Sequence, residues 1–384
     1  MRVAIVAACP FPVPRGTPVR ILRLAEALAG LGHEIHVVTY HLGERIDDAP
    51  FQIHRIRRVS TYQKLSPGPS YQKLLLLDPL LRRLLVSVIR EHDIEVVHAH
   101  HYEGLLTAST LPKTVQRPLV YDAHTMLESE LGFYRVDLPQ KLKRAVGRWL
   151  DRRLPKAADH IVSVTETIRT SLVNHGFESS RVSVIPNGVE AEKFAMPEVE
   201  ASADTGSGTV VFAGNLAAYQ GIQFLLEAFR EVAQAREDAE LHIVSTSSFD
   251  PYEPLATSLG IRDRIKLSPG GFEELPGHLN RAAVAVSPRT ICDGLPVKVL
   301  NYMAAARPTV AFAGSAKTLE NGRTGLVVED EDTTAMAEAI LRLLQDPSLA
   351  RRLGDNARQK VMLDYTWETM ARRVESLYSQ LIAQ

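Results

Sequence analysis

Near residue 293 a polar, turn-forming run stands between an apolar stretch and a helical one. Asp293 offers a hydrogen-bond acceptor, Lys298 a cation and Asn301 an amide, while Gly294, Leu295 and Pro296 turn the chain between them. Residues 283–288 read as a buried parallel strand, and the residues after Pro296 have helical spacing. A strand, turn and helix in this order set polar groups and a helix N-terminus above the carboxyl end of a sheet, where open α/β sheets hold ligands. Asp293 can also cap that helix while Asn301 packs within it; capping and ligand contact are compatible. His124 follows another apolar run, 119–122. A neutral imidazole there can donate one hydrogen bond and accept another; a satisfied loop histidine is the plainer alternative. Gly16 lies in a proline-stiffened loop before a helix, whose free N–H groups suit an anion or a hydroxyl; an ordinary turn is the alternative. Arg20, one turn on, faces either a cleft or the surface.

These residues need elements to position them. Apolar runs at 3–8, 34–40, 51–57, 96–98, 119–122 and 160–164 alternate with helical patterns at 19–28 and 71–90. That is the rhythm of βαβ units and a mostly parallel sheet. The pattern restarts at residues 209–214 and continues through 241–244, 265–267, 284–287, 309–312 and 325–328, with a helix over 222–235. The spacing therefore predicts an α/β fold. A first domain covers 1–189, a polar linker 190–208, a second domain 209–365, and a terminal amphipathic helix 366–384 starts at Thr366 as N-cap. A length of 384 residues suits two such domains.

Composition narrows the function classes. Apolar content of 45% is that of a globular chain, and a net charge of −1 supplies no global pull toward nucleic acid. Two cysteines, Cys9 and Cys292, exclude a disulfide scaffold and leave a reducing cytoplasm as the expectation. The opening apolar run reads as a strand rather than a signal peptide, and no stretch is long and uncharged enough to span a membrane. His98, His100 and His101 follow a strand without ligand spacing, so no metal is expected. Eight basic residues between 135 and 156 alternate with Leu138, Leu142, Val146, Trp149 and Leu150. A basic amphipathic helix of this kind can rest on an anionic membrane surface, though a lone charged run is more often a solvated face. Nucleic acid is not expected, since no aromatic stacking platform accompanies the charge.

Six segments in chain order resemble the retaining family 4 glycosyltransferases. They are the Gly16 loop, Asp122 to His124, Ile185 to Val189, Phe212 to Gly221, Asp293 to Ala305, and Glu320 to Gly325. The resemblance implies a GT-B architecture, two Rossmann-like doubly wound domains facing across a cleft, with the C-terminal helix crossing back to the first domain. It implies a nucleotide-sugar donor held mainly by the second domain and a carbohydrate or lipid-linked acceptor met by the first. Gly16 then lies near the transferred sugar, His124 contacts it and Asp293 faces it. The nucleotide-sugar set becomes Asn215, Gln220, Arg289, Gly294, Leu295, Pro296, Lys298 and Asn301.

Three positions depart from the family pattern. The usual Arg and Lys of the donor loop are Asn215 and Gln220, which donate hydrogen bonds but carry no charge. The second acid of the signature is Asn301. Lys298, with Arg289 second, is left to compensate a diphosphate. The implied reaction retains anomeric configuration and uses no cofactor, no metal and no protein nucleophile. A UDP-sugar is the expected donor, with a GDP-sugar open. The expected setting is polysaccharide or glycolipid assembly, in the cytoplasm or peripherally on the inner membrane face. The alternative is a non-catalytic sugar-nucleotide sensor or scaffold of the same fold. Ser163, Thr165 and Glu166 follow a strand and receive no assigned role.

Overall fold

The computed structural model describes residues 1–13, 16–65, 72–131, 139–194, 208–271, 273–291 and 295–383. Two parallel sheets form within them. The first contains β1 (Arg2–Ala7), β2 (Glu34–Thr39), β3 (Gln52–Arg55), β4 (Val96–His100), β5 (Leu119–Ala123), β6 (His160–Ser163) and β7 (Val182–Val184), in the order β3-β2-β1-β4-β5-β6-β7. The second contains β8 (Gly208–Ala213), β9 (Ala239–Val244), β10 (Ile265–Ser268), β11 (Val284–Ser287), β12 (Thr309–Phe312) and β13 (Leu326–Val328), in the order β10-β9-β8-β11-β12-β13.

Both are doubly wound Rossmann-like sheets. Strand order reverses between β1 and β4 in one and between β8 and β11 in the other. Open α/β sheets bind ligands at such points, outside the carboxyl ends of the strands. Helices cover both faces, so β1 at the centre is apolar without interruption from Val3 to Ala7, all fully buried. Register brings the functional ends level. Ala7 lies opposite Thr39 and His100, and Ala213 opposite Val244.

The chain divides into two compact units, Met1–Asn187 with Trp367–Gln384, and Gly188–Thr366. Helix Trp367–Ile382 belongs to the first. Its Met370, Val374 and Tyr378 are fully buried in the cluster that holds Ile21 and Leu24 of helix Gly16–Gly30. Thr366 forms a parallel bridge with Val189, whose N–H donates to Tyr365 O at 2.8 Å. Ala191 and Phe194, at the start of the stretch read as a linker, are buried in a core of the second unit. Residues 195–207 lie outside the described residues. The leucine-rich stretch begins with a π turn, Lys73–Leu77, before helix Asp78–Glu91. Leu77, Leu81 and Leu85 enter the core while Leu74 and Leu75 face solvent. The helix over residues 222–235 has the expected bounds, Ile222–Ala235.

The seat of the terminal helix is testable. Met370→Ala should cost about 2–5 kcal/mol by leaving a cavity. Arg372→Ala, on the exposed face of the same helix, should stay within about 0.5 kcal/mol. Chemical denaturation of both variants would check the contrast.

Candidate active site

In the first unit, Gly16 opens its helix with φ of +36°, a left-handed backbone that glycine adopts without strain. Pro14 and Arg15 of the same loop lie outside the described residues. Thr17, next in the chain, has its hydroxyl 3.2 Å from His124 Nδ1. His100 Nδ1 lies 3.1 Å from His124 Nε2. His124, one residue beyond β5, is therefore held at both ring nitrogens, its side chain only 9% exposed. Burial pulls its imidazole down to about 3, against the opposing pull of Asp122, so the ring is neutral near pH 7. His101 Nε2 approaches Glu130 at 3.2 Å, and its φ of +63° is uncommon for a residue other than glycine.

Arg20 takes neither orientation left open by the sequence. It is buried and makes five hydrogen bonds. Its Nε and Nη2 donate to Asp122 Oδ2 at 3.0 and 2.9 Å. Nη1 donates to Pro186 O at 2.9 Å and Asn187 Oδ1 at 3.1 Å, and Nη2 to Ile185 O at 2.9 Å. The turn at Pro186 is thus tied to the end of β5. Burial alone would raise the Asp122 carboxyl, but Arg20, with His100 and His124, holds it well below the usual carboxylate range. His98 Nε2 lies 3.5 Å from the same carboxylate, and His98 Nδ1 shares a 2.6 Å hydrogen bond with the Tyr378 hydroxyl. Arg20, Asp122, His100, Thr17 and Tyr378 were not assigned from sequence. The one available signal was an aspartate in an otherwise apolar strand, because a buried carboxylate requires a partner.

In the second unit, a cavity of about 270 Å³ opens at the carboxyl ends of β8, β9 and β10. Asn215, Gln220, Lys298 and Asn301, four of the expected donor residues, line it together with Gly214, Ser245, Thr246, Gly270 and Tyr302. Lys298 Nζ donates to Gln220 Oε1 at 2.7 Å, Gln220 Nε2 to Asn215 Oδ1 at 3.3 Å, and Asn215 Nδ2 to the Tyr219 hydroxyl at 3.1 Å. The ammonium also lies 4.0 Å from the centre of the Phe212 ring. Gly214 has φ of +142°, and a Cβ there would stand 3.0 Å from Lys298 Nζ. Gly221 has φ of +73°, and a Cβ would meet Pro288 O at 2.1 Å. These glycines let the loop pass close beneath the lysine and the neighbouring strand end. Asn301 Oδ1 is buried without a hydrogen-bond partner.

The other expected residues separate. Arg289 is not among the cavity-lining residues; its guanidinium stacks over Tyr219 at 4.8 Å, joining the same chain of contacts from outside. Leu295 packs against the core beside Val299 and Tyr302. Pro296 is buried at the N-cap of helix Val297–Ala304. Asp293 and Gly294 lie outside the described residues, as does Cys292. Thr165 is spent as an N-cap on Ile168 N, and the buried Ser163 hydroxyl donates to Ser183 O. Glu320 pairs with Lys360 and Arg323 rather than with the cavity.

Residues 14–193 match the model of Glycosyltransferase Family 4, and residues 207–346 match that of Glycosyl transferases group 1. A GDP-mannose-dependent alpha-(1-6)-phosphatidylinositol monomannoside mannosyltransferase of Mycolicibacterium smegmatis is 29% identical over 80% of this chain and 82% of its own. A D-inositol 3-phosphate glycosyltransferase of Corynebacterium glutamicum is 24% identical over 100% of this chain and 97% of its own. The structure of sucrose-phosphate synthase from Thermosynechococcus elongatus superposes with a TM-score of 0.76 at 20% identity, over 100% of this chain and 99% of that one. HepE of Anabaena in complex with UDP superposes with a TM-score of 0.75 at 15% identity, over 99% and 100%.

Arg20→Gln should destabilise the first unit by about 3–5 kcal/mol near neutral pH, because it leaves Asp122 charged and buried without its cation. The sign with pH follows from the depressed carboxyl. The contribution of the pair is complete above the ordinary value of 3.8 and is lost as pH falls toward the lower folded value. The gap between native protein and variant should therefore narrow below about pH 4. Denaturant titrations at pH 7 and pH 3 would measure it.

Proposed function

The chain belongs to Glycosyltransferase Family 4 and has the GT-B fold, and from that premise we propose that it is a retaining enzyme using a nucleoside diphosphate sugar. The observation that carries the donor reading is the convergence of Asn215, Gln220, Lys298 and Asn301 on one cavity at a topological switch point. Lys298 is the one cation among its described lining residues. Gln220 holds it by a hydrogen bond, and it is positioned to meet a diphosphate. Asn215 and Gln220 supply amide donors where relatives of the resembling pattern carry charge. The unpaired Asn301 carbonyl supplies an acceptor for a ribose hydroxyl.

In the first unit, neutral His124 lines up with the Gly16 turn as the sugar-facing pair. A neutral imidazole can exchange its Thr17 or His100 contact for a sugar hydroxyl without carrying charge into a buried site. Asp293, outside the described residues, keeps the role the resemblance implies, facing the transferred sugar. Leaving-group charge would fall to Lys298 and to backbone N–H groups, so no protein nucleophile, metal or cofactor enters the reading. A UDP-sugar is the first donor to test. A GDP-sugar is the second, because a relative from Mycolicibacterium smegmatis is named as GDP-mannose-dependent. The acceptor is a carbohydrate or lipid-linked hydroxyl.

Incubating the full chain with UDP- and GDP-sugars, with and without sugar and glycolipid acceptors, tests this directly. Acceptor-dependent product with α configuration from an α-linked donor supports a retaining transferase. Tight nucleotide binding without turnover would instead favour a sensor, the reading motivated by the uncharged Asn215 and Gln220. Lys298→Met should weaken UDP binding roughly ten- to a hundred-fold while changing uridine binding little, since a charged hydrogen bond is lost only with phosphate. Calorimetry on both ligands checks the difference.

Peripheral membrane association on the cytoplasmic face belongs to the same proposal. Helix Gln140–Arg153 buries Lys143, Gly147 and Asp151, and the Asp151 carboxylate accepts from Leu127 N and Glu128 N, both at 2.9 Å. A Cβ on Gly147 would stand 2.5 Å from Leu127 O, so this face is pressed against its neighbour. Leu142, Val146 and Trp149 are left exposed among Lys141, Arg144, Arg148, Arg152 and Arg153. Residues 132–138, which include Arg135 and Leu138, lie outside the described residues. No helix among the described residues is long and apolar enough to cross a membrane. Replacing Trp149 with Ser and both Arg144 and Arg152 with Gln should reduce co-sedimentation with anionic vesicles several-fold at low salt and leave UDP affinity unchanged.

A further inference from the structure

Three histidines far apart in the chain meet on one face of the first sheet. Glu34 and His36 lie two residues apart on β2, so their side chains share a face. His54 stands on the adjacent β3, opposite Val38, on that same face. His92 closes helix Asp78–Glu91, which packs over Val38 and Ala4 through Leu81, Leu85 and Val88. The rings of His36 and His92 are 4.2 Å apart between centroids, and those of His54 and His92 are 5.2 Å apart. His36 Nδ1 lies 3.0 Å from His54 Nε2.

We propose that His36, His54 and His92 form a binding site for a borderline-soft divalent transition-metal ion such as zinc, serving as a structural clamp in the first unit. One ligand nitrogen from each ring lies within 4.8 Å of the others. Metal–nitrogen bonds of about 2.0–2.1 Å in tetrahedral geometry put ligand nitrogens about 3.3 Å apart. The His36–His54 pair is already near that separation. The partly exposed His92 closes the remainder by side-chain rotation, and its exposure gives the ion a path in.

The outer contact favours the same assignment. Glu34 Oε1 lies 3.0 Å from His36 Nε2. A proton on Nε2 is donated to that carboxylate, which leaves the Nδ1 lone pair facing His54. A carboxylate behind a ligating imidazole is the usual device for fixing its tautomer and strengthening it as a ligand. Burial lowers the imidazole of His36 and brings that of His54 to about 4, so both rings are neutral near neutral pH and each keeps one lone pair. Three imidazoles suit zinc, nickel or copper better than calcium or magnesium. Water would complete the coordination. The second convergent group, His98, His100 and Asp122, is a poorer site. It is sealed from solvent, and Arg20 already occupies the Asp122 carboxylate with a fixed positive charge.

The test uses the untagged full chain, stripped with chelator and titrated calorimetrically with zinc chloride. One equivalent should bind per chain with micromolar or tighter affinity, and zinc should raise Tm. Both effects should disappear in His54→Gln and in His92→Gln. Glu34→Gln keeps all three ligands and should weaken zinc binding roughly 10- to 100-fold. Thermal unfolding without metal verifies that each variant folds, and sugar transfer should persist in His92→Gln, since this group lies outside the candidate catalytic residues. Zinc affinity unchanged in His54→Gln and His92→Gln would overturn the site. So would absence of saturable binding, or loss of binding in His98→Gln with retention in His92→Gln.

Discussion

A buried guanidinium–carboxylate pair organises the first unit. Asp122 lies one residue before the end of an apolar strand in full burial, where an unpaired carboxylate would be costly. Arg20 answers it from the first turns of helix Gly16–Gly30 and spends its remaining donors on the backbone at Ile185 and Pro186 and on the Asn187 side chain. Helix, central strand and the last turn before the second unit are thereby fixed to one another. His124, two residues from Asp122, inherits its position. Thr17 holds one ring nitrogen and His100 the other. The imidazole is neutral because the same burial that requires Arg20 also disfavours a second buried cation.

The second unit solves a different problem with fewer charges. Among the described lining residues its cavity contains one lysine, which meets a glutamine carbonyl and an aromatic face. The glutamine carbonyl is a neutral acceptor that orients the ammonium. Close approach is permitted by Gly214 and Gly221, both at positive φ; a Cβ on Gly221 would collide with the Pro288 backbone, and one on Gly214 would crowd the Lys298 ammonium.

Much of this was legible along the chain. Continuous apolar runs gave strands buried on both faces, and 3.6-residue periodicity gave the helix Ile222–Ala235. The family resemblance set the loop after β8 and the helix that begins at Val297 at one donor site, and their Asn215, Gln220, Lys298 and Asn301 share a cavity. Arg289 was harder to place, because its nearness in sequence to Lys298 says nothing of the Tyr219 ring that takes it. Arg20 was ambiguous for a related reason. Helical spacing places it on a face, but what covers that face comes from residues 122 and 185–187.

The sequence by itself determined most of the strands and several of the helices, how they alternate into two doubly wound sheets, and which loops carry polar chemistry. These are consequences of local periodicity and turn propensity. Tertiary structure alone decided the partners. It joined Arg20 to Asp122, His98 to Tyr378 across 280 positions, and His36 to His54 and His92. Parallel strands are brought together by crossovers, so side chains that meet on one face or at one sheet end come from widely separated positions. Burial then sets their charge states, through desolvation that spacing along a chain does not reveal.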